Sequence, residues 1–173
     1  MSAKILELTQ QLKPQAIVVL GDVLHRHETV HTDPLTQAID LLGPLSDAAP
    51  TYLLIGNHDL KNNKEFLSSK HPFTALHRWS NIKVIDRPLR DSVGGVPLVF
   101  VPYLPPGRFL EGLELVQWQT ARAIFAHQEF RGCRMGDNLS TEGDAWPLSH
   151  PMVISGHIHD YQQPQANILY VGT

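Results

Sequence analysis

The hydrophobic positions of this chain fall into short runs, and four of them end alike. AIVVL at 16–20 leads into Gly21-Asp22, and YLLI at 52–55 leads into Gly56-Asn57-His58-Asp59. AIFA at 123–126 leads into His127, and MVIS at 152–155 leads into Gly156-His157-Ile158-His159. Short buried strands that hand over to polar loops at their carboxyl ends are how open α/β sheets build ligand sites. The groups delivered are a carboxylate, an amide oxygen and several imidazoles, a mixture that suits Mn, Fe or Zn better than Mg or Ca. Four coincident handovers predict one assembled site.

The remaining pattern predicts helices over 3–13, 33–43, 62–68 and 109–118. It predicts strands over 15–20, 51–55, 82–85, 98–101, 122–126, 152–155 and 168–171. Asp33-Pro34 reads as an N-cap followed by proline at the first helical position, and Gly43-Pro44 as that helix's end. Early alternation of helix and strand predicts a parallel sheet, and the closely spaced later strands an antiparallel portion. Residues 128–150 form a loop of a length that usually carries function or moves. No internal repeat or low-complexity tract interrupts this order.

At 173 residues the chain fits one domain that buries about 70% of its unfolded surface. Fourteen basic against seventeen acidic residues give a net charge of −3, so no global basic field advertises nucleic acid. Arg108, Arg122, Arg131 and Arg134 are either a local basic patch or solvated surface residues. The single cysteine, Cys133, excludes a disulfide framework and favours a reducing, cytoplasmic location. No apolar run approaches the roughly 20 residues of a membrane span. The first fifteen residues lack a signal-peptide core, and Ile5, Leu6, Leu8 and Leu12 instead mark a helix face before Pro14.

Asp22 follows a glycine that lets the backbone approach an ion closely, and its two oxygens suit bridging two metals. Its plain alternative is a turn-capping aspartate. Asn57 offers a neutral oxygen ligand, which leaves His58 free to donate a proton or contact a phosphate. Asp59 stands where it could orient that imidazole through a hydrogen bond. His157 and His159 share a face of an extended segment and can address one metal or two neighbouring ones. His127, a lone imidazole after a strand, would by itself read as a packed structural histidine, and beside the other clusters it supplies the ligand missing for a second metal. His27-Glu28-Thr29-Val30-His31 fits the H-E-x-x-H pattern of zinc peptidases, but that chemistry needs a continuous helix, and Asp33-Pro34 starts a new element directly afterwards. A histidine-rich loop at the mouth of the site is the better reading. His71, His77 and His150 show no ligand spacing, and prolines after His71 and His150 suggest loops. There is no phosphate-cradling glycine loop and no nucleophile elbow.

The order GD, GNHD, H, GHxH resembles the signature of the calcineurin-like metallophosphoesterase superfamily, and it spans Asp22 to His159. The resemblance implies an αββα sandwich of α/β class holding two divalent metals, Mn2+ first and Fe or Zn otherwise. It implies that Asp22 bridges them, that Asn57, His127 and His157 complete one site, and that His159 serves the other. It implies hydrolysis of phosphodiesters by a hydroxide activated between the metals. His58 is then proton donor and transition-state contact, with Asp59 its orienter. GDVLH places His25 three residues after Asp22, as in the SbcD-like DNA-repair nucleases, which use that histidine near the scissile phosphate. ILYVGT resembles the strand before that group's GSP segment, and FVPYLPPGRF and FAHQEFRGCRMG resemble a compact phage- or virus-type branch of it. DNA as substrate, with Arg131 near it, an SbcC-like ATPase partner and a homodimer are the corresponding expectations.

One motif of the family, D-x-H on a first strand, does not precede Gly21. The resemblance therefore implies a chain truncated at both ends, with that strand missing and one metal site half-built. Three rival readings stand beside the nuclease: a small-molecule phosphomonoesterase or cyclic-nucleotide diesterase on the same fold, a metal-poor scaffold that binds a partner protein, and the zinc peptidase.

Overall fold

A computed structural model describes residues 2–27 and 29–172. The chain runs through α1 (Ser2–Leu12), β1 (Ile17–Val19), α2 (Thr32–Ala48), β2 (Thr51–Leu54), a 3-10 helix (Pro72–Arg78) and β3 (Ile82–Ile85). There follow β4 (Leu89–Val93), β5 (Val96–Val101), α3 (Phe109–Leu113), β6 (Ala123–Ala126), β7 (Arg134–Met135), β8 (Asn138–Leu139), β9 (Met152–Ser155), β10 (Gln162–Gln165) and β11 (Ile168–Tyr170). Among the described residues no helix is long and apolar enough to cross a membrane.

Two sheets face each other. One is three-stranded and wholly parallel, in the order β1-β2-β3. The other is six-stranded, in the order β10-β11-β9-β6-β5-β4. Its four inner strands are parallel, and only its two edge strands, β4 and β10, run antiparallel. The expected antiparallel portion is therefore confined to those edges and to a separate β7-β8 pair. Tyr52, Leu54 and Ile85 of the first sheet pack on Phe100, Leu98 and Phe125 of the second. Tyr52 stacks on Phe100 with centroids 3.9 Å apart, and its hydroxyl donates to Asp91 Oδ2 on β4 at 2.7 Å. Lys83 pairs with the same carboxylate.

Each sheet has an outer cover, which completes the α/β sandwich. Leu35, Ala38, Ile39 and Leu42 recur at helical spacing along α2 and bury against Val19, Leu53 and Val84. On the far side, Phe109 and Leu113 of α3 join Phe130, Trp118 and Trp146 over Val99, Ile124 and Val153.

Several boundaries differ from expectation. Helix α2 runs through Gly43-Pro44 to Ala48. Proline loses one ladder bond there, and the glycine before it removes the Cβ that the ring would crowd. Residues 62–68 form turns, and the short helix of this region is the 3-10 turn starting at Pro72. Helix α3 stops at Leu113 because i→i+3 bonds from Leu115 and Val116 tighten the chain. That turn sends Trp118 into the core beside Trp146. In α1, Ile5, Leu8 and Leu12 are exposed, so the predicted apolar face is largely uncovered among the described residues. The stretch 128–150 is pinned, since Asp144 is buried and accepts hydrogen bonds from the Gly107 and Phe109 amides and from Gln128 Nε2.

The pairing of Tyr52 with Phe100 predicts unequal costs for two changes at the sheet–sheet contact. Phe100→Ala should lower the unfolding free energy in urea by about 3–5 kcal/mol. Tyr52→Phe should cost only about 1 kcal/mol, the net worth of one hydrogen bond.

Candidate metal centre

All four predicted handovers occur at carboxyl ends of strands. β1 and β2 deliver Asp22 and Asn57 from one sheet, and β6 and β9 deliver His127 and His157 from the other. The four side chains meet across the seam. His127 Nε2 lies 3.2 Å from Asp22 Oδ2, 3.0 Å from Asn57 Oδ1 and 3.2 Å from His157 Nδ1. His157 Nδ1 is 3.0 Å from Asn57 Oδ1. The edge of a tetrahedron around an ion with ligand bonds of 2.0–2.1 Å is about 3.3–3.4 Å, so these spacings are close to those of a coordination shell.

The chemistry of the donors fits a cation as well as their spacing. His127 Nδ1 donates to the Leu20 carbonyl at 2.6 Å. That bond fixes the ring, and in the neutral form it leaves Nε2 as a bare lone pair facing the other three atoms. A proton on Nε2 would serve one neighbour, whereas a divalent ion serves all four. Asp22, His127 and His157 form one of two groups of potential metal-binding side chains among the described residues. Burial pushes the Asp22 carboxyl up, but the His127 ring and the His58 amide outweigh it and hold the carboxyl below its ordinary value. His157 is pushed down to about 4, first by burial and then by the neighbouring His127 charge. A neutral imidazole is the form a metal takes.

The backbone is bent to make this approach. Asp22 and His157 both sit in the left-handed region, with φ of 51° and 46°. Such conformations cost of order 1–3 kcal/mol each and gather at functional sites. Gly56 lets the two loops touch, since a Cβ there would lie 2.2 Å from Asp22 Oδ1 and 2.3 Å from the Asp22 amide. At Gly21 a Cβ would meet His127 Nδ1 at 2.5 Å.

The second group of predicted residues needs correction. Asp59 does not orient His58. Its Oδ1 accepts from the Leu24 amide and its Oδ2 from the Gly56 amide, both at 2.9 Å, so it latches the two loops together. Burial raises it to about 6 despite those two donors, with Asp22's charge adding to the rise. The group that orients His58 is the carbonyl of His25, which accepts from Nδ1 at 2.8 Å. The His58 amide in turn donates to Asp22 Oδ1 at 2.9 Å. The His25 and His27 rings both stack on His58, with centroids 5.7 and 4.7 Å away. His159 and Arg131 are exposed, and neither side chain makes a hydrogen bond or ion pair among the described residues. The H-E-x-x-H histidines lie outside any helix, because α2 begins at Thr32, and Glu28 lies outside the described residues.

Three contributors, Tyr103, Gln128 and Asp144, escaped the sequence reading. Tyr103 walls the cluster, with its ring 5.9 Å from His157, and its amide donates across the seam to Ile55 O. Gln128 is fully buried behind His127 and donates its amide to Ser155 Oγ on β9. Its side chain joins Leu104 to Asp144. Only Gln128 had a sequence signal, its place directly after a ligand-type histidine.

A family model described as calcineurin-like phosphoesterase matches residues 2–161. The chain belongs to that family. It is 45% identical over 174 residues to "Putative phosphoesterase 078R" of Invertebrate iridescent virus 3, covering 98% of this chain and 50% of the relative. It is 48% identical over 159 residues to the viral protein "Putative phosphoesterase 244L" of Invertebrate iridescent virus 6, covering 90% of this chain and 56% of that one. A more distant relative is "Exonuclease subunit 1" of Enterobacteria phage T4, 25% identical over 156 residues, with 88% of this chain and 45% of the relative covered. The chain thus spans about half the length of the curated relatives it matches. Its family is one of metal-dependent phosphoesterases, in keeping with the donor cluster of this phosphoesterase fold.

The contact at Gly56 makes a direct prediction. Gly56→Ala should cost about 1–3 kcal/mol in urea unfolding through overpacking. It should also weaken divalent-metal binding about 10–100-fold, as displaced supporting groups do. Gly43→Ala, whose Cβ would meet only Trp79 at 4.0 Å, should do neither.

Proposed function

We propose that residues 1–173 act as one metal-dependent phosphodiesterase domain and that the substrate is nucleic acid, with DNA favoured. The observation that carries this reading is the convergence of Asp22 Oδ2, Asn57 Oδ1, His127 Nε2 and His157 Nδ1 beside His58, whose amide donates to Asp22 Oδ1. The relative named as an exonuclease subunit supports both a nucleic-acid substrate and a partner chain. One free cysteine, Cys133, fits an intracellular setting.

The four donors would hold the first ion, and Asp22 with the exposed His159 would serve a second. Mn2+ is the expected metal, from a donor set of one carboxylate, one amide oxygen and imidazoles. Bound there, the metal supplies neutralising charge for a phosphate and acidifies a water. The chain's own groups do the rest. Asn57 and Asp22 fix the position of the phosphate relative to the loops. His58 Nδ1 is committed to the His25 carbonyl, which leaves Nε2 to face the substrate and pass a proton to the leaving oxygen. The stacked rings of His25 and His27 keep His58 from rotating away. Asp59 acts at one remove, by holding the Asp22 and Asn57 loops in register.

Titration of metal-free protein with Mn2+ tests the cluster. The parent should bind at least one ion tightly, and Asp22→Asn should lose it; unchanged stoichiometry in Asp22→Asn removes that carboxylate from the site. His58→Ala should keep the metal and lower hydrolysis of linear DNA about 10²–10⁴-fold. Equal rates in parent and variant would take His58 out of the mechanism. Faster turnover of a nucleotide monoester or a cyclic nucleotide than of linear DNA would move the substrate to small molecules.

A further inference from the structure

A second histidine cluster lies outside the site described so far. It joins His71 at the start of the 3-10 helix, His77 in its last turn and Asp86 just past β3. One ligand atom from each lies within 4.8 Å of the others, and none of the three belongs to the Asp22 cluster. We propose that His71, His77 and Asp86 form a separate zinc-binding site that fastens the 3-10 helix to the end of β3.

The distances favour coordination over hydrogen bonding. His71 Nε2 is 3.5 Å and His77 Nε2 3.4 Å from the same oxygen, Asp86 Oδ2. A charge-assisted hydrogen bond between a ring nitrogen and a carboxylate is about 2.7–2.9 Å. Two rings pointing at one oxygen from that range make poor hydrogen bonds. They stand instead at about the 3.3–3.4 Å edge of a zinc tetrahedron with ligand bonds of 2.0–2.1 Å.

Asp86 has no lysine or arginine against it, and its ion-pair contacts among the described residues are these two histidines alone. A divalent ion would supply positive charge to that carboxylate. His71 Nδ1, buried without a partner, would then carry the ring proton, a cost that the coordination bond has to exceed. The His71 side chain is 0% exposed, that of Asp86 16% and that of His77 43%, so the cluster opens to solvent on one side. That opening gives an ion a route in and leaves a fourth position for water.

Two imidazoles and one carboxylate suit zinc better than magnesium or calcium, which prefer all-oxygen shells. The fastening has a purpose in the fold. Phe73 and Leu76 of the 3-10 helix pack into the core beside Leu53 and Leu60. A short 3-10 turn has weak bonds of its own.

Zinc titration of metal-stripped protein tests the site. Parent chain should bind one Zn2+ more than His77→Ala or His77→Gln, two variants at an exposed position. His157→Ala should instead lose an ion at the Asp22 cluster and keep this one. Zn2+ should also raise the melting temperature of His157→Ala but not of the double variant that adds His77→Ala. Hydrolysis of phosphodiesters by His77→Ala should match the parent, so this proposal and the phosphoesterase reading fail separately. Equal zinc stoichiometry in parent and both His77 variants would overturn it.

Discussion

The structure turns on one short bond, from His127 Nδ1 to the Leu20 carbonyl at 2.6 Å. Leu20 follows the first strand of one sheet, and His127 follows a strand of the other. The bond therefore spans the seam, and it decides which way the imidazole faces. With Nδ1 committed, Nε2 must meet Asp22, Asn57 and His157, three groups with lone pairs of their own. Such an arrangement is unfavourable without positive charge between them. It persists because two packed sheets, joined by Tyr52, Phe100 and Asp91, hold it in place. The site is thus built by rigid strands rather than by its loops, as the strain at Asp22 and His157 also indicates.

Behind that cluster stands a layer of backbone-directed hydrogen bonds. Asp59 accepts two amides from the two loops of the first sheet. Gln128 and Asp144 do the matching job for the second sheet, tying residues 104–109 to the strand that leads into His127. Buried polar groups of this kind are costly unless fully partnered, and here the partners are mostly amides with no other acceptor. The layer explains how a stretch as long as 128–150 stays fixed without a long element of its own.

Much of this was legible in the sequence, for a physical reason. Inner parallel strands are buried on both faces and read as continuous apolar runs, and their ends carry the polar residues. β2, β6 and β9 are such strands, so the handovers were visible. The strands that escaped notice are edges. β4 carries Arg90 and Asp91, and β10 is QQPQ, whose proline an edge tolerates. The hairpin between β4 and β5 did leave a signal. Gly94-Gly95 between two valines, both at positive φ, is a two-residue turn. Asp59 was misread because adjacency to His58 suggested a partner, whereas consecutive residues leaving a strand point apart. Asp144 could not be read at all, since its partners are backbone amides from 35 and 37 residues earlier and a glutamine 16 residues earlier.

The two histidine clusters differ in a way that separates chemistry from fastening. Around Asp22, four donors come from four strand ends, the backbone is strained, and glycines remove every Cβ that would obstruct approach. A free imidazole, His58, stands beside them. Around Asp86, the ligands come from the two ends of one short helix and the residue after the next strand, and none lies in the left-handed region. Strain is retained where an ion must meet a reacting group at a fixed angle. A site that only ties a turn to a strand has no need of it, and spacing within the sequence then carries no trace of the site. His71 is the extended residue before the 3-10 helix and His77 lies in its last turn, so no helical repeat links the two and only the fold brings both to Asp86.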